Sequence, residues 1–249
     1  MPDRYFVTPP VDAARAVLRG DEAHHLTKVM RAKPGDEIIV FDGGGCEWRA
    51  RVAAVQRGEI ALELLERHEM DRELGVAVTL AIALPKGDRQ RWLVEKSVEL
   101  GVRRLVPLIT DRGVAQPVDN ALSRLRRTVV EASKQCGRNR LMEIAAPQPW
   151  TGFCAAVAAP GEHRVMADPS GSEDVGNLLA GWRTSRVASS LVFAVGPEGG
   201  WTEGERHSAA SHGLQMVSLG PRILRVETAA LLLASMAVSA VIGFNDPEP

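Results

Sequence analysis

The sequence predicts an α/β fold with a mainly parallel sheet, preceded by a small unit made mostly of β-strands. Short apolar runs alternate with helical segments after residue 76, which is the pattern of βαβ units. Before residue 66, apolar runs of strand length are separated by tight-turn residues. We therefore expect two domains, residues 1–70 and 74–249, joined through the polar stretch 66–75.

The N-terminal segment contains four predicted strands, 4–7, 37–41, 47–55 and 59–65. Pro34-Gly-Asp36 and Asp42-Gly-Gly-Gly45 supply the turn residues that hairpins need. One helix interrupts the strands, with Asp21 as its N-cap, and continues to Arg31. A small β-barrel closes such a set of strands.

The middle of the chain predicts a βαβ unit followed by a basic helix. A buried strand at 76–84 precedes a helix that Asp88 caps and that ends near Gly101, and the next strand covers 105–109. A basic helix begins at Asn120 and ends near Cys136. A further strand and helix are expected at 164–167 and 173–182.

Two glycine-rich loops follow the last two predicted strands. The strand 191–195 ends in Gly196-Pro-Glu-Gly-Gly200, and the strand 216–219 ends in Gly220-Pro221. Thr202 and Glu205 form a capping box for the helix between the strands. Because both loops then face the start of the final helix, we expect them to bind a ligand through backbone groups at one edge of the sheet.

The residues alone do not identify that ligand. The chain contains no GxGxxG after its first α/β strand, no GxxxxGK[ST] and no GxSxG, so neither a Rossmann dinucleotide site, nor a P-loop, nor an α/β-hydrolase site is indicated. Cys46, Cys136 and Cys154 form no CxxC pair, and His24-His25 has no partner at ligand spacing. No metal and no disulfide framework are therefore expected, and a reducing cytoplasm fits. The N-terminus shows no secretory signal pattern.

The final predicted helix, 229–242, is apolar on every side, which predicts burial against several neighbours. A membrane span is the alternative. The run is shorter than the roughly 20 apolar residues that a span needs, and it contains Ser235 and Ser239. We therefore favour a core or interface helix, and its small residues predict a homodimer in which a second helix packs closely.

Positive charge is concentrated in residues 84–140, although the whole chain has a net charge of −1. This segment holds 13 Lys and Arg against 6 Asp and Glu. Such a surplus is typical of proteins that bind the phosphates of a nucleic acid, but a solvated helix face would show the same composition.

Three motifs together carry a resemblance to a known family. The first is Val195-Gly-Pro-Glu-Gly-Gly-Trp201, with Glu205, and the second is Leu219-Gly-Pro-Arg-Ile-Leu-Arg-Val-Glu-Thr-Ala229. The third is Lys86-Gly-Asp-Arg89 with Glu95-Lys96 and Glu99-Leu-Gly-Val102. These motifs resemble the SPOUT-class RNA methyltransferases and, within them, the ribosomal RNA small subunit methyltransferase E (RsmE) family. The resemblance covers almost the whole chain. It implies a C-terminal trefoil knot and a PUA-like barrel that binds RNA.

The resemblance also implies S-adenosyl-L-methionine (SAM) as cofactor and assigns residues to it. The implied cofactor-binding residues are Val195, Gly196, Pro197, Glu198, Gly199, Gly200, Leu219, Gly220, Ile223, Leu224 and Arg225. Arg225 is the candidate for charge stabilisation, and Glu198 or Glu227 for proton acceptance. The RNA-binding candidates are Arg4, Arg31, Lys33, Lys86, Arg89, Lys96, Arg126, Arg127, Gln135 and Arg138.

The implied reaction is methylation of N3 of a uracil in 16S rRNA, by a homodimer whose subunits complete each other's sites. A ribose 2′-O-methyltransferase of the same class and a non-catalytic ribosome assembly factor are the alternatives. The chain departs from the family pattern at Lys134, where Glu is common, and at Met142, where Pro is usual.

Overall fold

The computed structural model describes residues 3–11, 14–114, 119–156, 158–178, 181 and 190–242. It divides into two units. The first contains Met1–Glu73 together with Val130–Leu141, and the second contains Leu74–Val129 together with Met142–Pro249. Residues 130–141 pack with the N-terminal unit, although they lie far beyond its predicted boundary at residue 70.

The first unit is built on a five-stranded sheet in the order β1-β3-β4-β5-β2. Its strands are β1 (Arg4–Phe6), β2 (Arg15–Arg19), β3 (Glu37–Phe41), β4 (Cys46–Gln56) and β5 (Glu59–Glu69). Only the β1–β3 pair is parallel. Alternate side chains enter a core that includes Leu18, Val40 and Ile60. The four predicted strands are confirmed.

One strand of this unit was not predicted, and one prediction is wrong. The strand β2 was missed, although its alternation of exposed arginines with buried Ala16 and Leu18 carries the period-two signal. The stretch 66–69, expected as linker, continues β5 and pairs with β4. Backbone pairing with β4 holds these polar residues in the strand, and their side chains lack the apolar alternation by which a strand is predicted.

The helix of the first unit begins at Gly20 and not after Asp21. Helix α1 (Gly20–His24) continues as a π-helical turn, His25–Val29, and Asp21 lies in its first turn while Arg19 occupies the N-cap. Ala23 and Leu26 are the residues that it buries in the core. His24 and His25 remain exposed.

The second unit contains an eight-stranded sheet in which every pairing is parallel. The order is β11-β13-β10-β12-β6-β7-β8, with β9 paired to β7. The strands are β6 (Ala77–Ile82), β7 (Arg104–Ile109), β8 (Glu143–Ile144), β9 (Gln148–Pro149), β10 (Glu162–Ala167), β11 (Glu173–Asp174), β12 (Ser190–Val195) and β13 (Gln215–Ser218). The predicted parallel sheet is confirmed.

The helices that accompany these strands in the described part of the chain include α2 (Asp88–Glu99), α3 (Asp119–Cys136), α4 (Trp150–Ala155), α5 (Glu203–Ser211) and α6 (Val226–Ile242). Helix α3 continues into the first unit from Val130 onward. Asp88 is the first helical residue of α2, and Gly87 is its N-cap. The capping box of α5 is confirmed, because Glu205 N donates to the Thr202 hydroxyl and Thr202 N donates to the Glu205 carboxylate.

Helix α6 begins three residues earlier than predicted and packs against α2, β6 and β12. Ala230, Leu233 and Ala237 are fully buried on its inner face. Leu232, Ser235 and Ser239 are exposed. The inner face of α6 is therefore covered by the sheet and α2, whereas the described residues leave part of its outer face exposed. For residues 173–182, the structure begins with β11 and turns helical only at 175–178; the remainder lies largely outside the described residues.

Candidate functional site

A pocket of about 260 Å³ lies at the carboxyl ends of three neighbouring strands, β10, β12 and β13. Parallel strands place their carboxyl ends at one edge of a sheet, so the loops that follow them converge. The start of α6 closes the pocket with Val226 and Ala229. Ten of the eleven predicted cofactor-binding residues line it, namely Val195, Gly196, Pro197, Glu198, Gly199, Gly200, Leu219, Gly220, Ile223 and Leu224.

Arg225 is the predicted residue that does not line the pocket. Its side chain is exposed, and its carbonyl oxygen accepts a hydrogen bond from Ala229 N at 2.9 Å, which begins α6. Among the described residues, no hydrogen bond or ion pair joins its guanidinium to the pocket. Its neighbour Ile223 is 81% exposed, although it lines the pocket, which leaves apolar surface at the entrance.

The two glycine loops need glycine for different reasons. A Cβ on Gly196 would lie 2.7 Å from Cε2 of Trp201, so the indole ring requires the absence of a side chain there. Gly220 has φ +97° and open space around its Cα, so its requirement is conformational. A Cβ on Gly196 would therefore first displace Trp201.

Trp201 joins the two sides of the pocket floor. Its Nε1 donates to the carbonyl oxygen of Ala167 at 2.9 Å, so the loop after β12 is bound to the end of β10. Its ring contacts Trp150 at a centroid distance of 4.3 Å, and Trp150 Nε1 donates to Glu205 O. A buried tryptophan with its N–H satisfied fixes a loop more firmly than apolar contact alone.

Asp168 is a pocket-lining residue that sequence reasoning did not select. It follows β10 directly and is 2% exposed. Oδ1 accepts from Ser170 N, and Oδ2 lies 2.8 Å from Arg206 Nε on α5. Burial alone would raise the pKa of this carboxyl, but the hydrogen bonds from Ser170 and the charge of Arg206 outweigh burial and lower it. Asp168 is therefore a fixed negative charge in the wall.

An ion-pair cluster joins α2 to two segments of the site. Arg89 Nη2 lies 2.9 Å from Oε1 of Glu198, and Nη1 lies 3.6 Å from Oε2 of Glu227. Glu198 lines the pocket and is exposed, whereas Glu227 in the first turn of α6 is 5% exposed. The two candidate proton acceptors therefore share one guanidinium, which the sequence analysis had assigned to RNA.

Comparison with known proteins identifies the family. A model of an RNA methyltransferase domain matches residues 72–238, and a model of an RNA methyltransferase PUA domain matches residues 18–65. The chain is 38% identical over 227 residues to ribosomal RNA small subunit methyltransferase E of Synechocystis, covering 91% of this chain and 74% of that protein. The Bacillus subtilis protein of the same name is 33% identical, with 88% and 87% covered.

The chain belongs to the ribosomal RNA small subunit methyltransferase E family. Solved structures agree with this assignment. That of the family member from Neisseria gonorrhoeae, bound to S-adenosyl methionine, superposes with a TM-score of 0.84 at 29% identity and covers 97% of this chain and 98% of its own. A methyltransferase from Legionella pneumophila with bound SAM gives 0.84 at 27% identity, with 96% and 98% covered.

The RNA-binding candidates differ in exposure and in whether their charge is already paired. Exposed side chains are found at Arg31, Lys33, Lys86, Arg126, Arg127 and Gln135. Lys96 lies within 3.0 Å of Glu95 and 2.8 Å of Glu99, so its charge is already paired. Arg126 also donates to the carbonyl oxygen of Ile144, which leaves Arg127 as the exposed arginine of α3 with no recorded partner among the described residues.

Two other RNA-binding candidates already take part in internal ion pairs, and their contact with RNA stays a prediction. Arg4 is paired with Glu47 at 2.6 Å, with both side chains 10% exposed. Arg138 is 3% exposed and donates through Nε to Glu73 at 2.8 Å. Both guanidinium groups serve internal ion pairs of the first unit, and a phosphate could reach them only by breaking those pairs.

Arg112 and Asp111 were not predicted to contribute to the site, because they lie outside the motifs and contact the site loops only in the folded chain. Arg112 donates to the carbonyl oxygen of Gly199 at 3.0 Å, and Glu205 accepts from Asp111 N at 2.9 Å. The signal for Asp168 was present, since an acidic residue directly after a parallel strand lies at the ligand edge of the sheet.

The described ranges hold no group of three or more His, Cys, Asp or Glu side chains arranged to bind a metal ion. Within the same ranges, no helix has the length and apolar character needed to cross a membrane.

Proposed function

We propose that this protein transfers a methyl group from SAM to N3 of a specific uridine in 16S rRNA. The observation that carries the proposal is the pocket itself, which both glycine motifs line at the carboxyl edge of a parallel sheet. Support also comes from the names of the relatives, which are small-subunit rRNA methyltransferases, and from the two SAM-bound structures that superpose over nearly the whole chain.

The residues present fit SAM. Val195, Leu219, Leu224, Val226 and Ala229 offer apolar surface to a nucleoside. Asp168 and Glu198 offer negative charge to a cationic ligand, and Arg222 offers a donor to a carboxylate. Gly200 and Gly220 adopt left-handed φ values of +68° and +97°, and as glycines they place no Cβ at the pocket surface.

When bound, SAM supplies an electrophilic methyl group on a positively charged sulfur. The protein must then align the acceptor, remove its proton and stabilise the charge that develops. N3 of uracil carries a proton, so a base has to take it while the nitrogen lone pair forms the new N–C bond. Glu198, at the pocket surface, or Glu227, buried beside it, holds that proton.

Negative charge develops on O2 and O4 of the uracil as N3 loses its proton. Arg225 is the proposed donor to these oxygens, because it stands between the second glycine loop and the first turn of α6. Its exposed side chain is available to an incoming RNA. Exposed basic residues of α3 and of the first unit bind the phosphate backbone.

The proposal extends to the chain's assembly. A C-terminal trefoil knot, a homodimer built on α6 and a cytoplasmic location belong with this function. In the parallel order β13-β10-β12-β6, strand β10 lies between β12 and β13, which both come later in the chain. This order supports a chain that crosses itself in this region. The exposed outer face of α6 supports the dimer.

Mass spectrometry of small-subunit rRNA tests the function. Deletion of the gene should remove one base-methylated uridine, and the purified protein with SAM should restore it on the isolated subunit or rRNA. Loss of a ribose methyl group would replace the proposal with 2′-O-methylation. An unchanged modification pattern, with a defect in subunit assembly, would favour a non-catalytic assembly factor.

A further inference from the structure

Arg89 connects two walls of the pocket without lining it. One wall is the loop after β12, which carries Glu198, and the other is the first turn of α6, which carries Glu227. These segments are separated in sequence by α5 and β13. A single guanidinium lies 2.9 Å from the carboxylate of the first and 3.6 Å from that of the second.

The buried end of this cluster depends on Arg89. Oε2 of Glu227 is buried and accepts no hydrogen bond from any described residue. Arg89 is the cation recorded within 4.0 Å of it among those residues. Removing the guanidinium would leave a buried carboxylate without a counter-charge, which is far more costly than losing an exposed ion pair.

The planar shape of the side chain suits this position. A guanidinium presents separate N–H groups to two carboxylates, whereas an ammonium offers one compact charge. Arg89 is the second residue of α2, which packs against α6, so its backbone is tied to one of the two walls that its side chain joins.

We propose that Arg89 is a positioning residue that fixes loop 196–200 against the start of α6 and thereby shapes the pocket. This role differs from the phosphate contact that the sequence suggested for the same residue. The consequence for SAM rests on the proposed function, whereas the consequence for the loop does not.

Hydrogen–deuterium exchange of the ligand-free protein tests the positioning directly. In Arg89→Gln, backbone amides of residues 196–200 and of the first turn of α6 should exchange about tenfold faster, because the link between the walls is lost. Arg91→Gln is the matched control, since Arg91 is exposed on the same helix. Glu198→Gln, which leaves the buried pair intact, should accelerate the loop and spare α6. Equal exchange in Arg89→Gln and the wild type would overturn the proposal.

Calorimetric titration with SAM, without RNA, supplies the second measurement. Arg89→Gln should weaken binding by about tenfold, Arg89→Lys less, and Arg91→Gln not at all. Adding Glu227→Gln to Arg89→Gln removes the unpaired charge and should recover part of the affinity, a coupling that a phosphate contact would not produce. Unchanged SAM affinity in Arg89→Gln, with wild-type binding intact, contradicts the positioning role. Failure of the wild type to bind SAM contradicts the proposed function, and the exchange data then decide the positioning role alone.

Discussion

The ammonium group of Lys134 lies 2.9 Å from Oε1 of Glu22, and these side chains are 15% and 14% exposed. Lys134 belongs to the part of α3 that packs with the first unit, and Glu22 belongs to α1. The ammonium also lies 5.7 Å from the centre of the Tyr5 ring. The lysine that departs from the family pattern is therefore a structural contact of the first unit.

Charge reversal tests this pair. Lys134→Glu, which introduces the family's common residue, should destabilise the protein by about 2 kcal/mol, because it places a second carboxylate beside a largely buried one. Chemical denaturation measures the change. Adding Glu22→Lys should recover part of the loss, while Lys28→Glu, at an exposed position, should change stability little. No recovery in the double variant would show that the two residues do not interact.

Gly196 and Gly220 should respond differently to alanine. Gly196→Ala forces Trp201 to move, so we expect a loss of about 1–3 kcal/mol in stability and weaker SAM binding. Gly220→Ala meets open space but a strained φ, so the stability loss should be about 1 kcal/mol. Thermal denaturation and SAM titration measure both effects. A larger stability loss at Gly220 would contradict this division.

Asp168 should make stability depend on pH in the acid range. Its pKa is lowered in the folded protein, so its contribution is complete above the unfolded value of about 3.9 and is lost as the pH falls through the lower folded value. Asp168→Asn should therefore cost about 1–2 kcal/mol near neutral pH and progressively less below about pH 4. Denaturation curves between pH 2.5 and 7, about the span of this titration, provide the measurement. Asp21→Asn, at an exposed position, is the control, and a difference that grows with acid would contradict the assignment.

The strand pattern and the site loops could be predicted from sequence because their signals are local. The glycine loops, the capping box at Thr202 and the parallel strands each depend on residues within a few positions of one another. Their convergence followed from one topological rule, that parallel strands share their carboxyl edge. The individual residues came from the resemblance to the methyltransferase family, which assigned eleven positions to the cofactor, and ten of these line the pocket.

The rest depends on partners far apart in the chain. Nothing in the sequence near Arg4 or Arg138 indicates an ion pair. Only the fold brings Glu47 and Glu73 to them. Likewise, Arg89 reaches acids more than a hundred residues away. No local sequence signal shows that residues 130–141 belong to the first unit, because α3 is continuous across the boundary at residue 130.

Arg127 should contribute to RNA affinity and not to the pocket. Its side chain is exposed on α3, where a phosphate could reach it without breaking an internal pair. Arg127→Ala should weaken RNA binding and reduce the salt dependence by about one counterion, with SAM affinity unchanged. Filter binding at several salt concentrations measures this effect. Arg57→Ala, an exposed arginine at a turn of the first unit, is the comparison, and an equal loss in both variants would indicate general charge attraction only.

The dimer prediction has to be tested on the outer face of α6. Ala237 is fully buried within the chain, so Ala237→Glu would disrupt the packing of α6 and could not report on assembly. Leu232 lies on the outer face and is 36% exposed. A second α6 that covered this face would bury Leu232, so Leu232→Glu should give folded monomers with intact far-ultraviolet circular dichroism and little methylation activity. Val29→Glu, at an exposed apolar position of the first unit, should leave the mass in solution unchanged. Light scattering that finds an active wild-type monomer at assay concentration would reject the dimer. A Leu232→Glu dimer of normal activity would move the interface away from α6.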